Sequence, residues 1–505
     1  MDKPVRSWMM RKSIESVRQD AERTGMHRTL GPVQLILIGI GCIVGAGVYV
    51  MTGAAAAHYA GPAVILSFLI AAMACGFICL CYAELASVLP ASGASYAYAY
   101  SVLGEVFAWG LGWMLLLEFG LAGAALAVGF SGYLTSLLGD FGLVIPEAYS
   151  SSWLRAEIGP HGLDLVADGG FNWVAVGALA VVALVLVRGI RESAAINTLL
   201  VIIKVGVLIG FVLVGAGQVD ATNWTPFIPE NEGGFRYGTP GIFRAASILF
   251  FAYLGFEAVA TAAAEARKPQ RDVPIGILGA LIGSSILYGA VALVMTGLVP
   301  FTDLDVPDPI AVAVGAVGMP VMAVVIKAGA LTGLASVLLV NTYAQSRVCH
   351  AMSNDGLLPK RFARLHSHFR TPAFATGIVA AISALAAALL PITLLADLVS
   401  LGTICVFSVV AIAVMKLRTT HPELERPFKV PLGGIYIGGI WVGVVPVLAL
   451  ASCVLMAGPV FMDITSKAAH GEWVPAVLLG VYIISGALIY ILYGHRNAHI
   501  RAPKL

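Results

Sequence analysis

Two interrupted apolar segments decide the architecture that this sequence predicts. Residues 39–47 read Gly-Ile-Gly-Cys-Ile-Val-Gly-Ala-Gly, and residues 250–257 read Phe-Phe-Ala-Tyr-Leu-Gly-Phe-Glu. Both lie inside long apolar runs, where glycine allows the backbone to leave the helical conformation. In a lipid bilayer, backbone groups freed in this way must be satisfied by protein, water or a ligand. The two segments therefore predict one cavity bounded by unwound backbone.

The surrounding sequence predicts an all-α integral membrane protein. Of the 505 residues, 59% are hydrophobic and only 11% are charged, which excludes a soluble multidomain protein. Twelve apolar stretches are each long enough to cross a hydrocarbon core of ~30 Å. They begin near residues 33, 62, 98, 171, 195, 242, 275, 320, 373, 393, 435 and 474.

The twelve segments divide into two blocks of similar length. Segments one to five cover about residues 33–215, and segments six to ten cover about 242–416. A repeat unit with an odd number of spans places its second copy upside down in the membrane. This 5+5 inverted repeat makes spans one and six antiparallel broken helices, with helices eleven and twelve outside the repeat. We expect a single membrane domain over residues 33–495.

Cationic residues indicate the orientation of the chain. Seven lysines and arginines lie in the tail formed by residues 1–32, and further clusters at 188–191, 267–271, 347–370 and 416–429 fall on the same side as the tail 496–505. Short cytoplasmic loops carry such an excess, so both termini are predicted to be cytoplasmic, in a plasma (inner) membrane. The net charge of +2 is therefore a topological signal that implies no nucleic-acid partner.

The sequence shows neither a metal site nor the marks of an enzyme. The ten histidines have no ligand spacing, and no nucleophile–base pair or phosphate-binding loop is present. A channel is disfavoured because the charge inside the spans is sparse and concentrated at one level. The sequence predicts no cofactor.

The first interruption predicts an anion site. Gly41, Gly45 and Gly47 permit unwinding, which leaves backbone N–H groups at the start of the outer half-helix. Those groups belong to Ala46, Gly47 and Val48, and the N-terminal end of a helix attracts negative charge.

The second interruption predicts a cation site. The carbonyls of Phe251, Ala252 and Leu254 lie at the C-terminal end of a half-helix, where positive charge is favoured. A carboxylate and an ammonium a short distance apart are the main-chain groups of an α-amino acid. The alternative is that the glycines only allow close packing of helices, as small residues often do in membranes.

Five motifs closely resemble the cationic amino acid transporter branch of the amino acid–polyamine–organocation superfamily. They occur at residues 39–50, 81–85, 251–257, 269–276 and 354–359, and the likeness extends over essentially all twelve spans. The resemblance implies alternating access, with substrate held at the broken spans one and six and Ile43 among its contacts. Ala46 stands where bacterial relatives usually have Thr, and Glu257, a candidate gate residue, where the family more often has Asp.

Lys204 is the candidate for proton coupling. Counting from a helix start near Ser193 places it ~16 Å deep, close to the bilayer midplane. A lysine at that depth is costly, and desolvation lowers its affinity for a proton, so it could cycle its charge. Proton-coupled relatives carry a lysine at the matching point. The alternative is a structural tie to the Gly41 carbonyl region or to Ser336.

Two polar residues are candidates for side-chain selectivity. Asn341 stands where bacterial relatives tend to have Met and vertebrate cationic transporters have Ser, so a roomier and more polar pocket is expected. Glu118 lies well inside the third span and could balance a cationic substrate. Alternatively, Asn341 bonds only a neighbouring helix.

These features predict a proton-coupled amino acid permease. An exchanger or amino-acid sensor with the same pocket and no proton coupling is an open alternative. The expected partners are an amino acid substrate and the lipid bilayer, and a small regulatory membrane subunit is possible but unidentified.

Overall fold

The computed structural model describes residues 10–12, 29–89, 94–159, 162–189 and 194–498. Most of the two predicted tails, 1–32 and 496–505, therefore lies outside the described residues.

The described part of the chain is predominantly helical, as predicted. The first seven main helices are α1 (Pro32–Ile43), α2 (Val64–Val88), α3 (Ala94–Val102), α4 (Glu105–Asp140), α5 (Trp173–Val187), α6 (Ala194–Gly215) and α7 (Gly238–Leu249). The others are α8 (Glu257–Thr261), α9 (Pro269–Leu298), α10 (Pro309–Ala316), α11 (Pro320–Asn354), α12 (Ala373–Leu389), α13 (Ile392–Thr420), α14 (Val444–Ala469) and α15 (Val474–Ile489). Short helical turns over residues 47–63 join the end of α1 to α2.

Within the described ranges, nine helices are long and apolar enough to cross a membrane. Three further apolar helices are shorter, namely α1, α5 and α12. The prediction that all twelve apolar segments form helices of spanning length therefore differs from the structure at these three helices. Helix α1 ends at the first interruption, and α5, with 15 residues, would extend for only ~23 Å.

Two antiparallel hairpins were not predicted. Strands β1 (Arg155–Gly159) and β2 (Gly162–Val166) form one, and β3 (Gly434–Ile437) and β4 (Ile440–Gly443) form the other. The eleventh apolar segment, predicted to begin near residue 435, therefore starts as a hairpin, and its helix begins only at Val444. Gly438 and Gly439, with φ of +58° and +80°, form the turn, which suits a two-residue hairpin loop.

Close packing of α1 against α9 fixes the inner half of the first interrupted segment. These two helices share an extensive contact, as do α4 with α11 and α4 with α13. A Cβ on Gly39 would lie 2.4 Å from the Cβ of Ala280, so glycine is required for this approach. The same arrangement places α4, α11 and both interruptions around one central space.

Candidate functional site

At the first interruption the backbone leaves the helix between Ile43 and Gly47. Val44 is extended, with φ −73° and ψ 96°, and helical structure resumes at Gly47. Among the described residues, no acceptor takes a hydrogen bond from the N–H groups of Gly45, Ala46 or Gly47. These donors lie at the start of a helical segment and can bind an anion.

At the second interruption, α7 ends at Leu249 and is followed by one tight turn over Phe250–Tyr253. Leu254 is extended, and Gly255 adopts φ +122°, a conformation that L side chains rarely take. A Cβ on Gly255 would lie 2.8 Å from the carbonyl oxygen of Cys42. Glycine is therefore needed here both for the backbone conformation and for contact with the first interruption.

Tyr288 of α9 joins the two interruptions, and the sequence analysis missed it. Its hydroxyl donates to the carbonyl oxygens of Ile43, at 2.8 Å, and of Ala252, at 3.1 Å. Ala252 also packs directly on Gly47. The Ala252 carbonyl is therefore engaged inside the protein. A tyrosine within an apolar span was the available signal, because a buried phenol usually finds a partner.

A cavity of about 720 Å³ lies between the two interruptions, and its volume falls within the range of small-molecule sites. Helices α3, α4, α8 and α11 complete its wall. The wall contains eight of the predicted site residues: Ile43, Gly45, Ala46, Gly47, Phe251, Leu254, Glu257 and Asn341.

Three residues predicted to contact substrate lie outside that wall. Val48 is fully buried, Ala252 faces Gly47 and Tyr288, and Glu118 is fully buried next to Glu257. The prediction assigned a backbone N–H to Val48, a backbone carbonyl to Ala252 and a side chain to Glu118. Sequence position gives the depth of these groups along a helix but not the direction in which each one points.

The cavity opens on one side of the molecule. It extends along α11 past Arg347 to Asn354 and along the segment after α8 to Glu265. On the opposite side the walls meet, since Tyr133 of α4 donates to the Tyr49 carbonyl at 2.8 Å. The space between the interruptions is therefore reached from the α11 C-terminal end.

A polar cluster reinforces the closed side. Ser136 of α4 donates to Asp308 at 2.6 Å, and Lys327 of α11 pairs with Asp140 at 2.7 Å and approaches Asp308 at 3.8 Å. Burial raises the pKa of the Asp308 carboxyl, and the Ser136 hydroxyl and the Lys327 ammonium partly oppose that rise. The loop before α10 is thereby fastened to α4 and α11.

Lys204 of α6 is fully buried and reaches the first interruption. Its ammonium donates to the carbonyl oxygen of Gly41 and, at 3.1 Å, to that of Val44. A Cβ on Gly333 of α11 would lie 3.3 Å from the Lys204 side chain. Ser336 is buried three residues further along α11. The ammonium thus bonds directly to the backbone that unwinds beside the cavity.

Asn341 is positioned by α4 and faces the cavity. Its side-chain amide donates to the Phe119 carbonyl at 2.8 Å, so the interhelical bond that was proposed as an alternative does exist. The residue nevertheless forms part of the wall. In the part of the chain described here, its side-chain oxygen has no hydrogen-bond donor and is available to a ligand.

A second buried charge cluster lies away from the cavity. Arg244 of α7 binds Asp397 of α13 through two hydrogen bonds of 2.7 Å and contacts Asp463 of α14 at 3.1 Å. Its guanidinium also lies 5.2 Å from the centre of the Tyr59 ring. Sequence reasoning missed this network because Asp397 and Asp463 each lie more than 150 residues from Arg244 along the chain.

Interrupted helices around a cavity open to one side define an integral membrane protein of the transporter class. The family model for amino acid permeases matches residues 30–487, and the chain belongs to that family. The predicted family is confirmed.

Curated relatives agree with this assignment. The chain is 37% identical to the methylthioribose transporter of Bacillus subtilis (strain 168), covering 97% of this chain and 99% of that protein. It is also 37% identical to the branched-chain amino acid permease BcaP of the same strain, over 97% and 98%. It is 35% identical to the vacuolar cationic amino acid transporter 4 of Arabidopsis thaliana, over 83% and 68%.

Proposed function

We propose that this permease carries L-amino acids by proton-coupled alternating access. The observation that carries the proposal is the set of free N–H groups at Gly45, Ala46 and Gly47, which face the same cavity as Leu254 at the second interruption. The N–H groups suit the substrate carboxylate, and the carbonyl end of the turn at Phe250–Tyr253 suits its ammonium. The Bacillus relative named for branched-chain amino acids supports this substrate class.

The proposed architecture is twelve spans in a 5+5 inverted repeat, with one membrane domain over residues 33–495. This proposal is supported by the nine long and three short apolar helices in the described residues, with the first two spans joined through the turns at 47–63. The excess of lysine and arginine supports an orientation with both termini and the mouth of the cavity on the cytoplasmic face of a plasma membrane.

Lys204 supplies the proposed coupling. When protonated, it donates to the carbonyls of Gly41 and Val44 and holds the unwound backbone in its present arrangement. Loss of the proton removes the charge that both carbonyls stabilise, so the first interruption becomes free to change conformation. Protonation and the position of span one are thereby linked, as the direction of transport requires.

Methylthioribose uptake is a second candidate function. It is favoured by the 37% identity with a methylthioribose transporter over nearly the full length of both chains. Methylthioribose has no carboxylate and no ammonium, so it would leave the donors at Gly45, Ala46 and Gly47 without an ionic partner. The free donors therefore favour an amino acid.

Uptake by purified protein in liposomes tests the proposal. Labelled leucine, alanine, arginine and methylthioribose are offered with and without a pH gradient that is acidic outside. We expect at least one amino acid to accumulate above its external concentration only when the gradient is present, and we expect an excess of its methyl ester not to compete. Exchange without accumulation would identify an exchanger, binding without transport a sensor, and accumulation of methylthioribose alone would refute the amino acid proposal.

A further inference from the structure

Two acidic side chains lie next to each other beside the cavity. Glu257, the first residue of α8, lines the cavity and is 5% exposed, and Glu118 of α4 lies against it with no exposure. The hydroxyl of Tyr82 donates to one Glu257 oxygen at 3.0 Å. The other Glu257 oxygen and both Glu118 oxygens have no well-formed hydrogen bond within the described ranges.

The groups around the two carboxyls are neutral or weakly polar. Glu257 is faced by Cys42 of α1 and by Tyr82 and Cys79 of α2, and Glu118 by Thr403 and Cys405 of α13. Cys42 also faces Lys204, whose ammonium donates to the carbonyl oxygens of Gly41 and Val44.

Two adjacent buried carboxyls without a cation cannot both be ionised, because each charge is desolvated and repels the other. A shared proton removes one charge and supplies a hydrogen bond between the two groups. A cation bound beside Glu257 would allow both groups to ionise. The unpaired Glu257 oxygen forms part of the cavity wall, where such a cation would arrive.

We infer that Glu118 and Glu257 form a single cation site. The site holds a proton when the side chain of the substrate is neutral, and it exchanges that proton for the ammonium or guanidinium of a cationic amino acid. This inference rests on the proposed function. Glu257 and Leu254 line the same cavity, so a long side chain that extends from an amino acid held at the interruptions can reach Glu257.

The exchange conserves charge. The carboxyl O–H bond breaks, the proton leaves through the cavity to water, and the carboxylate pairs with the incoming cation. The complex of protein and substrate therefore has the same net charge with a neutral amino acid plus a proton as with a cationic amino acid. One cavity can in this way accept both substrate classes without a change in the net charge that is buried beside it.

The test compares arginine with citrulline, which has a side chain of nearly the same shape and no charge. Binding to the purified protein in nanodiscs is measured by calorimetry in buffers of different ionisation enthalpy, which counts the protons released. We expect arginine to release about one proton more than citrulline at neutral pH. Any contribution of Lys204 is common to both ligands and cancels in the difference.

Variants locate the source of the proton. The double variant Glu118→Gln/Glu257→Gln should still bind citrulline and should show no excess release with arginine. Glu118→Gln alone relieves the repulsion, so the excess release should disappear at a lower pH than in the parent. Glu265→Gln, which changes a carboxyl at the mouth of the same cavity, should keep the full excess.

The outcomes separate this inference from the proposed function. Binding of citrulline with equal proton release for arginine, binding of citrulline without arginine, or an excess that persists in the double variant would each overturn the shared-proton site and leave amino acid binding intact. If the double variant does not bind citrulline, the single variant decides. An excess proton release that disappears at the same pH in Glu118→Gln as in the parent would overturn the shared-proton site. Absence of binding for every amino acid would refute the proposed function, and the inference would fall with it.

Discussion

Arg244 and Lys204 are both fully buried cations, but the protein compensates them in different ways. Arg244 is bound by the carboxylates of Asp397 and Asp463, whereas Lys204 donates to backbone carbonyls of the first interruption. A guanidinium does not lose its proton in a protein, but a desolvated ammonium can. The comparison favours a permanent tie between helices at Arg244, whereas the coupling proposed above requires Lys204 to change its charge.

The strongest way to break the comparison is Arg244→Met. The change leaves Asp397 buried without its cation, whereas Asp463 keeps its ion pair with Lys467, and loss of one partner of a buried pair costs about 3–5 kcal/mol. We expect a large fall in the apparent melting temperature in detergent. Arg236→Met is the matched control, because Arg236 forms a half-exposed ion pair with Glu232, which contributes about 0–1 kcal/mol. Equal melting temperatures for the two variants would show that the network is not structural.

The next test is Lys204→Met. We expect gradient-driven accumulation by the folded variant to fall at least tenfold. Exchange of substrate across the membrane should be retained, because exchange needs no net proton movement. Accumulation and counterflow in liposomes measure the two activities. Lys327→Met is the control, since Lys327 pairs with Asp140 at the closed side. Accumulation by Lys204→Met at the level of the Lys327 variant would remove Lys204 from proton coupling.

The sequence predicted the interruptions well and the partners of the buried charges poorly. Glycines in apolar runs and the depth of Lys204 are local features, and the structure shows the unwound backbone at Val44 and the Lys204 contact with Gly41. Which helices bring Asp397 to Arg244, or Tyr288 to both interruptions, depends on tertiary packing that periodicity does not encode.

The hairpin at residues 434–443 shows the other limit of sequence reading. The stretch is as apolar as a span, so composition alone favoured a helix there. The backbone instead turns at Gly438 and Gly439, and a glycine pair between apolar β-branched residues is a hairpin signal that hydropathy does not register.

A smaller effect is expected at Asn341, which extends the comparison to neutral polar groups. Asn341 and Ser383 both donate to backbone carbonyls of α4, but of these two residues Asn341 alone lines the cavity. Asn341→Met should narrow the accepted substrates toward alanine and weaken competition by arginine and lysine about five- to tenfold, or about 1–1.4 kcal/mol. Ser383→Ala should leave the competition profile unchanged. A normal profile in Asn341→Met would place the residue outside the substrate pocket.

The smallest expected effect concerns Asp308, a carboxyl outside the spans whose charge is only partly compensated. Burial raises its pKa above the ordinary 3.8 in this closed arrangement, so the closed form binds a proton more tightly than a form with Asp308 in water. Closure is therefore favoured at low external pH and weakens as the pH rises through the raised pKa. A cysteine replacing Val50, which packs on Gly129 at the closed side, is labelled from outside with an impermeant thiol reagent, and each rate is divided by the rate of the same reagent with free cysteine at that pH, which removes the ionisation of the thiol. This normalised rate should be up to about threefold higher at pH 7 than at pH 4.5, a difference of about 0.7 kcal/mol.

Asp308→Asn should abolish this pH dependence, because an amide does not titrate in that range and still accepts the Ser136 hydrogen bond. Asp303→Asn, in the same loop and exposed, should preserve it. If the labelling rate of Val50→Cys, normalised to free cysteine, still depends on pH when Asp308→Asn is also present, the titrating group lies elsewhere on the closed side. Asp308 would then resemble Arg244, whose ion pairs hold helices together without a change of charge.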